Sequence, residues 1–288
     1  MSRNRERVGG TKQTHADPPV PQVAAEGAQE SPFSFVVPTE FVELPSGGRF
    51  YAEGHPLHNE STIEIKQMTA KEEDILTSRS LLKKGIALDR VLRNVIIDKR
   101  IEVNSLLIGD KNAIVVATRV SGYGNEYTTS VGCPACGVNQ EFMFDLNECE
   151  AKDTSDEAED AGVVDNGDGT FNVALPRTEI DVTFSLMTGR EEKRLLKLLE
   201  SSKRKKDGEH NITQQLKTII AQVNGDDDPK LISYVVENLP SLDSRYLRNA
   251  YKATNPDLDL TQEFVCSECD HEQEMEVPLT ADFFWPDR

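Results

Sequence analysis

Two cysteine turns set far apart constrain what this chain can fold into. Cys133-Pro134-Ala135-Cys136 lies near the middle and Cys266-Ser267-Glu268-Cys269 close to the end. Each is a C-x-x-C turn with polar neighbours and a β-like run after it. Thiolates at that spacing can bind one metal ion, and two such turns supply the four soft ligands that tetrahedral Zn²⁺ prefers. A single C-x-x-C would also read as a redox pair. The second turn favours a structural zinc site made of Cys133, Cys136, Cys266 and Cys269 over separate reduced turns or disulfides. A compact zinc ribbon keeps its turns about 15–20 residues apart, whereas 129 residues separate Cys136 from Cys266. Most of a domain is therefore inserted between the halves of the site, and a metal there would tie the middle of the chain to its end.

The two turns also read as copies. With a shift of 133, Cys133 and Cys136 fall on Cys266 and Cys269, Gln140-Glu141 on Gln273-Glu274, Leu146 on Leu279, Asp110 on Asp243, Ala117 on Ala250 and Arg119 on Lys252. Further upstream the shift is 119: Met68-Thr69 matches Met187-Thr188, and Glu72-Glu73 matches Glu191-Glu192. Leu44-Pro45 and Leu175-Pro176 open comparable extended stretches. A repeat of this length points to two versions of one unit.

The chain has 288 residues, 37% of them apolar, so it can bury a sizeable core as one large or two small domains. Its net charge of −18 repels nucleic acid and anionic membranes unless a local basic patch intervenes. Five cysteines are an odd number; four belong to the turns, which leaves Cys149 as a semi-buried bystander. That usage suits metal in a reducing compartment better than a disulfide scaffold. Residues 1–30 lack the apolar core of a signal peptide, and no run approaches 18 apolar residues. The sequence thus reads as a soluble, intracellular protein.

Residues 1–32 have almost no large apolar side chains and are expected to form a disordered arm, its tip made basic by Arg3, Arg5 and Arg7. Residues 33–147 form the first half. Phe33, Phe35, Val37, Phe41, Val42 and Leu44 lead into a turn at Pro45-Ser46-Gly47-Gly48, and Ile63 and Ile65 alternate beyond it. Thr69 with Glu72 predicts a capping box opening a helix that carries Ile75, Leu76, Leu81 and Leu82 and stops at Lys83-Lys84-Gly85. Helices follow over about 88–97 and 110–120. Residues 148–169 are an acidic linker; its Asp165-Asn166-Gly167-Asp168-Gly169 is a plain turn, since glycines sit where a calcium loop needs oxygen ligands. Residues 170–288 repeat the plan. Alternating strands contain Phe171, Val173, Leu175 and then Ile180, Val182, Phe184. Thr188 with Glu191 caps a helix ending in Lys203-Arg204-Lys205-Lys206. Helices are predicted near 214–223, 230–238 and 242–253, with a strand over 273–279. Phe283-Phe284-Trp285-Pro286 closes the chain, and such aromatics either pack on its core or dock on a neighbour.

Catalytic spacing is absent. His15, His55, His58, His210 and His271 fall in no recognisable arrangement, and no Gly-x-Ser-x-Gly, His-Glu-x-x-His or phosphate-loop sequence occurs. A four-cysteine zinc site has no open position for substrate, so its role would be structural. The chain is therefore expected not to be an enzyme. A zinc-ribbon regulator that binds nucleic acid is the alternative, but neither Glu126–Leu146 nor Asp259–Leu279 contains a Lys or Arg. Nucleic-acid readers need the opposite sign. A module binding protein partners remains the favoured class.

The order of these motifs resembles the baseplate proteins of contractile-tailed bacteriophages of the T4 type, specifically a small baseplate hub protein. The carriers are Leu44-Pro45-Ser46-Gly47-Gly48, Met68-Thr69 opening a helix with Glu72-Glu73, Ser121-Gly122-Tyr123-Gly124 ahead of a C-x-x-C, and the aromatic-Pro end. The likeness spans about residues 38–286. It implies a virion protein of the tail baseplate, a hub subunit or a hub assembly factor, whose partners are other baseplate and tail proteins in multiple copies around the tail axis. It also implies assembly in the host cytoplasm and supplies no catalytic residues. An assembly chaperone absent from the virion is a further alternative. The expected architecture is α+β: two related halves, each with a β-rich start, a helical bundle and a zinc-knuckle hairpin, meeting at one shared four-cysteine site of the zinc-ribbon kind.

Overall fold

The computed structural model describes residues 37–152, 154–205, 211–279 and 281–284. The arm at 1–32, Phe33, Phe35, Lys206, Trp285 and Pro286 lie outside the described residues. Val37–Arg288 forms one compact α+β unit.

The chain opens with an antiparallel pair, β1 (Thr39–Glu43) and β2 (Thr62–Lys66), in which Val42 faces Ile63. Leu44-Pro45-Ser46 leads from β1 into the turn. Gly47 and Gly48 adopt positive φ there, and a Cβ on Gly48 would stand 2.4 Å from the Glu60 carbonyl, so only glycine fits. Helix α1 (Ala70–Thr77) begins at Thr69, whose backbone N–H and hydroxyl both donate to the Glu72 carboxylate. The expected single helix is broken at Ser78, which is extended, and resumes as α2 (Arg79–Lys83). Helix α3 (Ala87–Val95) buries Val91, Leu92 and Val95. Ile96 then turns extended and forms an isolated antiparallel bridge with Ile65 of β2. Helix α4 (Ile108–Tyr123) leads into the hairpin β3 (Glu126–Gly132) and β4 (Asn139–Asp145).

The acidic linker carries α5 (Ser155–Asp160) and β5 (Val164–Asp165). Its Asp165–Gly169 stretch is a turn: Asp165 Oδ1 accepts from the Gly167 N–H and Asp168 Oδ1 from the Thr170 N–H. Strands β6 (Thr170–Ala174) and β7 (Asp181–Ser185) pair next, with Phe171 opposite Phe184. Helix α6 (Gly189–Lys205) starts at the Thr188–Glu191 capping pair, followed by α7 (Asn211–Ile219). The helix expected at 214–223 stops early, because Ile220–Val223 is β8, paired with β7 to complete the sheet β5-β6-β7-β8. Burial of Ile220 and Val223 against the core decides the matter, and an apolar, β-branched end suits a strand. Helices α8 (Pro229–Asn238) and α9 (Ser241–Thr254) lead to a last hairpin, β9 (Thr261–Val265) and β10 (Glu272–Glu276).

Two buried carboxylates occupy matching places. Asp110, at the third position of α4, accepts from the Ser46 N–H (2.9 Å), the Ser46 hydroxyl (2.6 Å) and the Tyr51 hydroxyl (2.7 Å). Asp243, at the third position of α9, accepts from the N–H groups of Arg177 and Thr178 (3.0 Å each) and the Thr178 hydroxyl (2.7 Å). Each acid joins the N-terminus of a helix, where negative charge is favoured, to the turn after a first strand. Burial pushes the Asp110 carboxyl up, against the lowering pull of its Ser46 and Tyr51 donors.

An apolar cluster joins β1 and β2, α1, α3 and α4, β3 and β4, β6 to β8, and α7 to α9. The stretches around Leu107 and Thr188 bridge each other, with the Ile108 N–H donating to Met187 (3.2 Å) and the Gly189 N–H to Leu106 (2.9 Å). On α4, a Cβ at Gly109 would fall 1.9 Å from the Pro256 carbonyl, so the 256–257 segment crosses the helix where only glycine permits it. Arg119 is fully buried and donates to the carbonyls of Phe283 (2.8 Å), Gly124 (2.7 Å) and Glu126 (3.1 Å), tying the last described residues to the end of α4.

Of the two readings of the terminal aromatics, Phe283 and Phe284 follow the first: both are buried, and the Phe283 ring meets Tyr127 edge-on at 5.0 Å. Phe283→Ala is therefore expected to cost about 3–5 kcal/mol. Denaturant unfolding would show the loss; unchanged stability would mean the ring does not pack where the structure puts it.

Candidate metal centre

The β3–β4 and β9–β10 hairpins present their turns to each other. In the first, the Cys133 N–H donates to Val138 and the Gly137 N–H to Cys133; in the second, the Cys266 N–H donates to His271 and the Asp270 N–H to Cys266. Gly137 (φ 75°) and Asp270 (φ 52°) take the left-handed conformation that closes each turn. Glycine does so freely, and Asp tolerates it better than most residues.

These turns bring the four sequence-assigned cysteines together. All four Sγ atoms lie within 4.8 Å of one another, with Cys133 3.8 Å from Cys269 and Cys136 3.7 Å from Cys266. A tetrahedron of sulfurs on metal–sulfur bonds of about 2.3 Å has edges of about 3.8 Å. The separations fit that edge and far exceed a disulfide bond of about 2.05 Å. Cys133 and Cys266 are buried while Cys136 and Cys269 are exposed, so the site is walled on one side and open to loading on the other. Donation from the Cys136 N–H, and next from that of Ala135, holds the Cys133 thiol down at about 6. The His271 N–H pulls Cys269 down, but the thiols of Cys266, Cys136 and Cys133 prevail and hold it up at about 12. A cation in the centre would replace this sharing of protons with four thiolates.

Two glutamines lock the hairpins in register. Gln140 accepts from the Ser267 N–H (2.9 Å) and donates to the Val265 carbonyl (3.1 Å). Gln262 in turn accepts from the Asp145 N–H (3.0 Å) and donates to the Asp145 carbonyl (2.6 Å). Beneath the cysteines a small apolar cluster of Cys133, Phe264 and Cys266, flanked by Val131, Phe142 and Met275, joins the sheets; Phe142 meets Phe264 edge-on at 5.1 Å. In sequence Gln140 stands out only as a partner of Gln273 under the 133-residue shift, and Gln262 carries no signal. Cys149 stays outside the cluster, and burial pushes its thiol up to about 11. The His271 ring is not among the grouped ligand atoms.

Elsewhere, His55 Nε2 lies 2.8 Å from Ser105 Oγ. His55 Nδ1 accepts from the Leu57 N–H (3.2 Å), so Nε2 carries the proton and donates to the serine, whose hydroxyl donates to the Glu102 carbonyl (2.8 Å). In this arrangement the histidine cannot take the serine's proton. No helix among the described residues is long and apolar enough to cross a membrane.

No curated protein and no solved structure matches this chain. A family model described as T4 bacteriophage base plate protein matches residues 37–285, which takes in both hairpins and all the helices named above. The chain therefore belongs to the T4 bacteriophage base plate protein family.

Proposed function

We propose that this chain is a structural protein of the tail baseplate, a hub subunit or a factor that assembles the hub, held together by one Zn²⁺ on Cys133, Cys136, Cys266 and Cys269. The family match over residues 37–285 carries the baseplate reading. The zinc reading is supported by four sulfurs at tetrahedral spacing. Zinc would supply a fixed cross-link between the hairpins and no chemistry, because four thiolates leave no open position.

The two halves are diverged copies of one unit. Supporting this are a similar run of elements in each (strand pair, capped helix, further helix, extended segment, helix bearing the buried acid, cysteine hairpin), with α2 additional in the first half and α8 in the second, and the matching roles of Asp110 and Asp243. Fused copies that share one metal ion and one core must keep a fixed mutual orientation. That suits a part whose work is to hold neighbours in place. On this reading the protein is not an enzyme, which is supported by the absence of catalytic motifs in the sequence and by a Ser105–His55 contact whose protons are wrongly placed for a nucleophile. Its partners are other baseplate and tail proteins, its place is the virion tail after assembly in the host cytoplasm, and neither nucleic acid nor membrane is among its ligands.

Mass spectrometry of purified phage particles tests the reading. A stoichiometric chain in the tail is expected. Absence from mature particles, with a block in hub formation when the gene is removed, would turn the reading to a chaperone. Tight binding to duplex DNA at physiological salt would favour the nucleic-acid regulator instead.

A further inference from the structure

Helix α6 differs from the rest of this acidic chain. Eight of the 32 Lys and Arg residues fall within 190–206, against three glutamates. Leu195, Leu196, Leu198 and Leu199 are interleaved with these cations, yet no residue from Arg190 to Ser201 is buried. Leu196 is 53% exposed. Among the described residues, Arg190, Arg194 and Lys197 form no ion pair. A helix that mixes exposed leucines with unneutralised cations is half of an interface.

The other half is on the same chain. The outward face of the β9–β10 hairpin exposes Glu263, Glu272, Glu274 and Glu276. Glu263 stands directly opposite Glu274 across the strands, a like-charge pairing that costs stability unless something cationic covers it. No Lys or Arg occurs between Asp259 and Leu279, and Lys152, which borders this face, pairs with Asp259 at 4.0 Å and not with these glutamates. Val265, 44% exposed, gives this face an apolar contact point. The dimensions agree as well: the twelve helical residues 190–201 span about 18 Å, and a five-residue strand spans about 17 Å.

We infer that α6 of one copy docks on the acidic face of the β9–β10 hairpin of a second copy, so that this chain associates with itself head to tail. The contact is heterologous, because each copy offers one surface and receives on a different one; such contacts propagate into rings or open strings. Opposite local charge sets orientation and encounter rate, and the leucines meeting Val265 exclude water. The inference does not require that the chain be a hub component.

Complementary charge reversals test it. Wild-type protein at 50 mM NaCl is expected to form concentration-dependent species larger than a monomer in sedimentation velocity, weakened about tenfold or more at 500 mM NaCl by screening. Arg194→Glu with Lys197→Glu, and separately Glu274→Lys with Glu276→Lys, should each give monomers. Mixed in equal amounts, the two variants should associate again, since the intact helix of one meets the intact hairpin of the other and the two reversed surfaces are themselves of opposite charge. Circular dichroism melting of each variant checks that it is folded; should one unfold, the salt dependence of the wild type still decides. A wild-type monomer at 50 mM NaCl, association indifferent to the reversals, or no association in the mixture overturns the inference. So does a monomer that instead binds vesicles of equal phosphatidylcholine and phosphatidylglycerol through α6.

Discussion

Native mass spectrometry of the purified chain is expected to find one zinc ion per molecule, and Cys133→Ser or Cys269→Ser is expected to lose it. Few apolar side chains sit beneath the cysteines, so the hairpins depend on the cation to hold them together. Binding of a structural metal is itself folding free energy, and loss of the site should lower the melting temperature by about 10 °C or more. A chelator should loosen both halves in one transition, because each contributes two of the four ligands. Cys149→Ser should change neither metal content nor stability. Zinc retained after removal of both Cys266 and Cys269 would sink the shared site. Variants of Gln140 and Gln262 should keep the ion with weaker affinity, since they orient the hairpins without touching the sulfurs.

The second large effect is expected at Asp110. Asp110→Ala removes one acceptor group and strands three donors in the interior: the Ser46 N–H, the Ser46 hydroxyl and the Tyr51 hydroxyl. Buried donors without partners each cost about 1–3 kcal/mol, so a total loss of about 3–5 kcal/mol is expected. Asp110→Asn should cost less, because its carbonyl oxygen still accepts while its amide nitrogen faces donors. Tyr51→Phe should be milder still, although it also deprives the Leu107 N–H of its acceptor at 3.1 Å. Equilibrium unfolding in urea gives the ranking; equal stability of Asp110→Ala and the wild type would mean that the turn after β1 is not anchored by this acid.

Local signals carried much of the secondary structure. The Thr69–Glu72 and Thr188–Glu191 pairs mark helix starts because the capping groups are three residues apart and need nothing else. The glycines of the Pro45–Gly48 turn are set by backbone sterics alone. Cysteine spacing also limited the outcomes, since turns of that kind can offer soft ligands wherever the chain takes them. The distant convergence of all four sulfurs was therefore legible before any coordinate.

What tertiary structure alone decided concerns groups whose partners are far away in sequence. Ile220–Val223 continues a helical pattern locally and becomes a strand because β7 offers it an edge and the core takes both its ends. Ser78 breaks a helix whose apolar periodicity runs on unbroken. Asp110, Asp243, Arg119, Gln140 and Gln262 look in sequence like ordinary surface residues. Each becomes structural only where the fold leaves backbone groups that water cannot reach, since buried donors and acceptors must be paired. The fate of Phe283 and Phe284 was undetermined for the same reason: an aromatic side chain will leave water wherever a surface is offered, and here the end of α4, through Arg119, draws that segment onto the chain's own core.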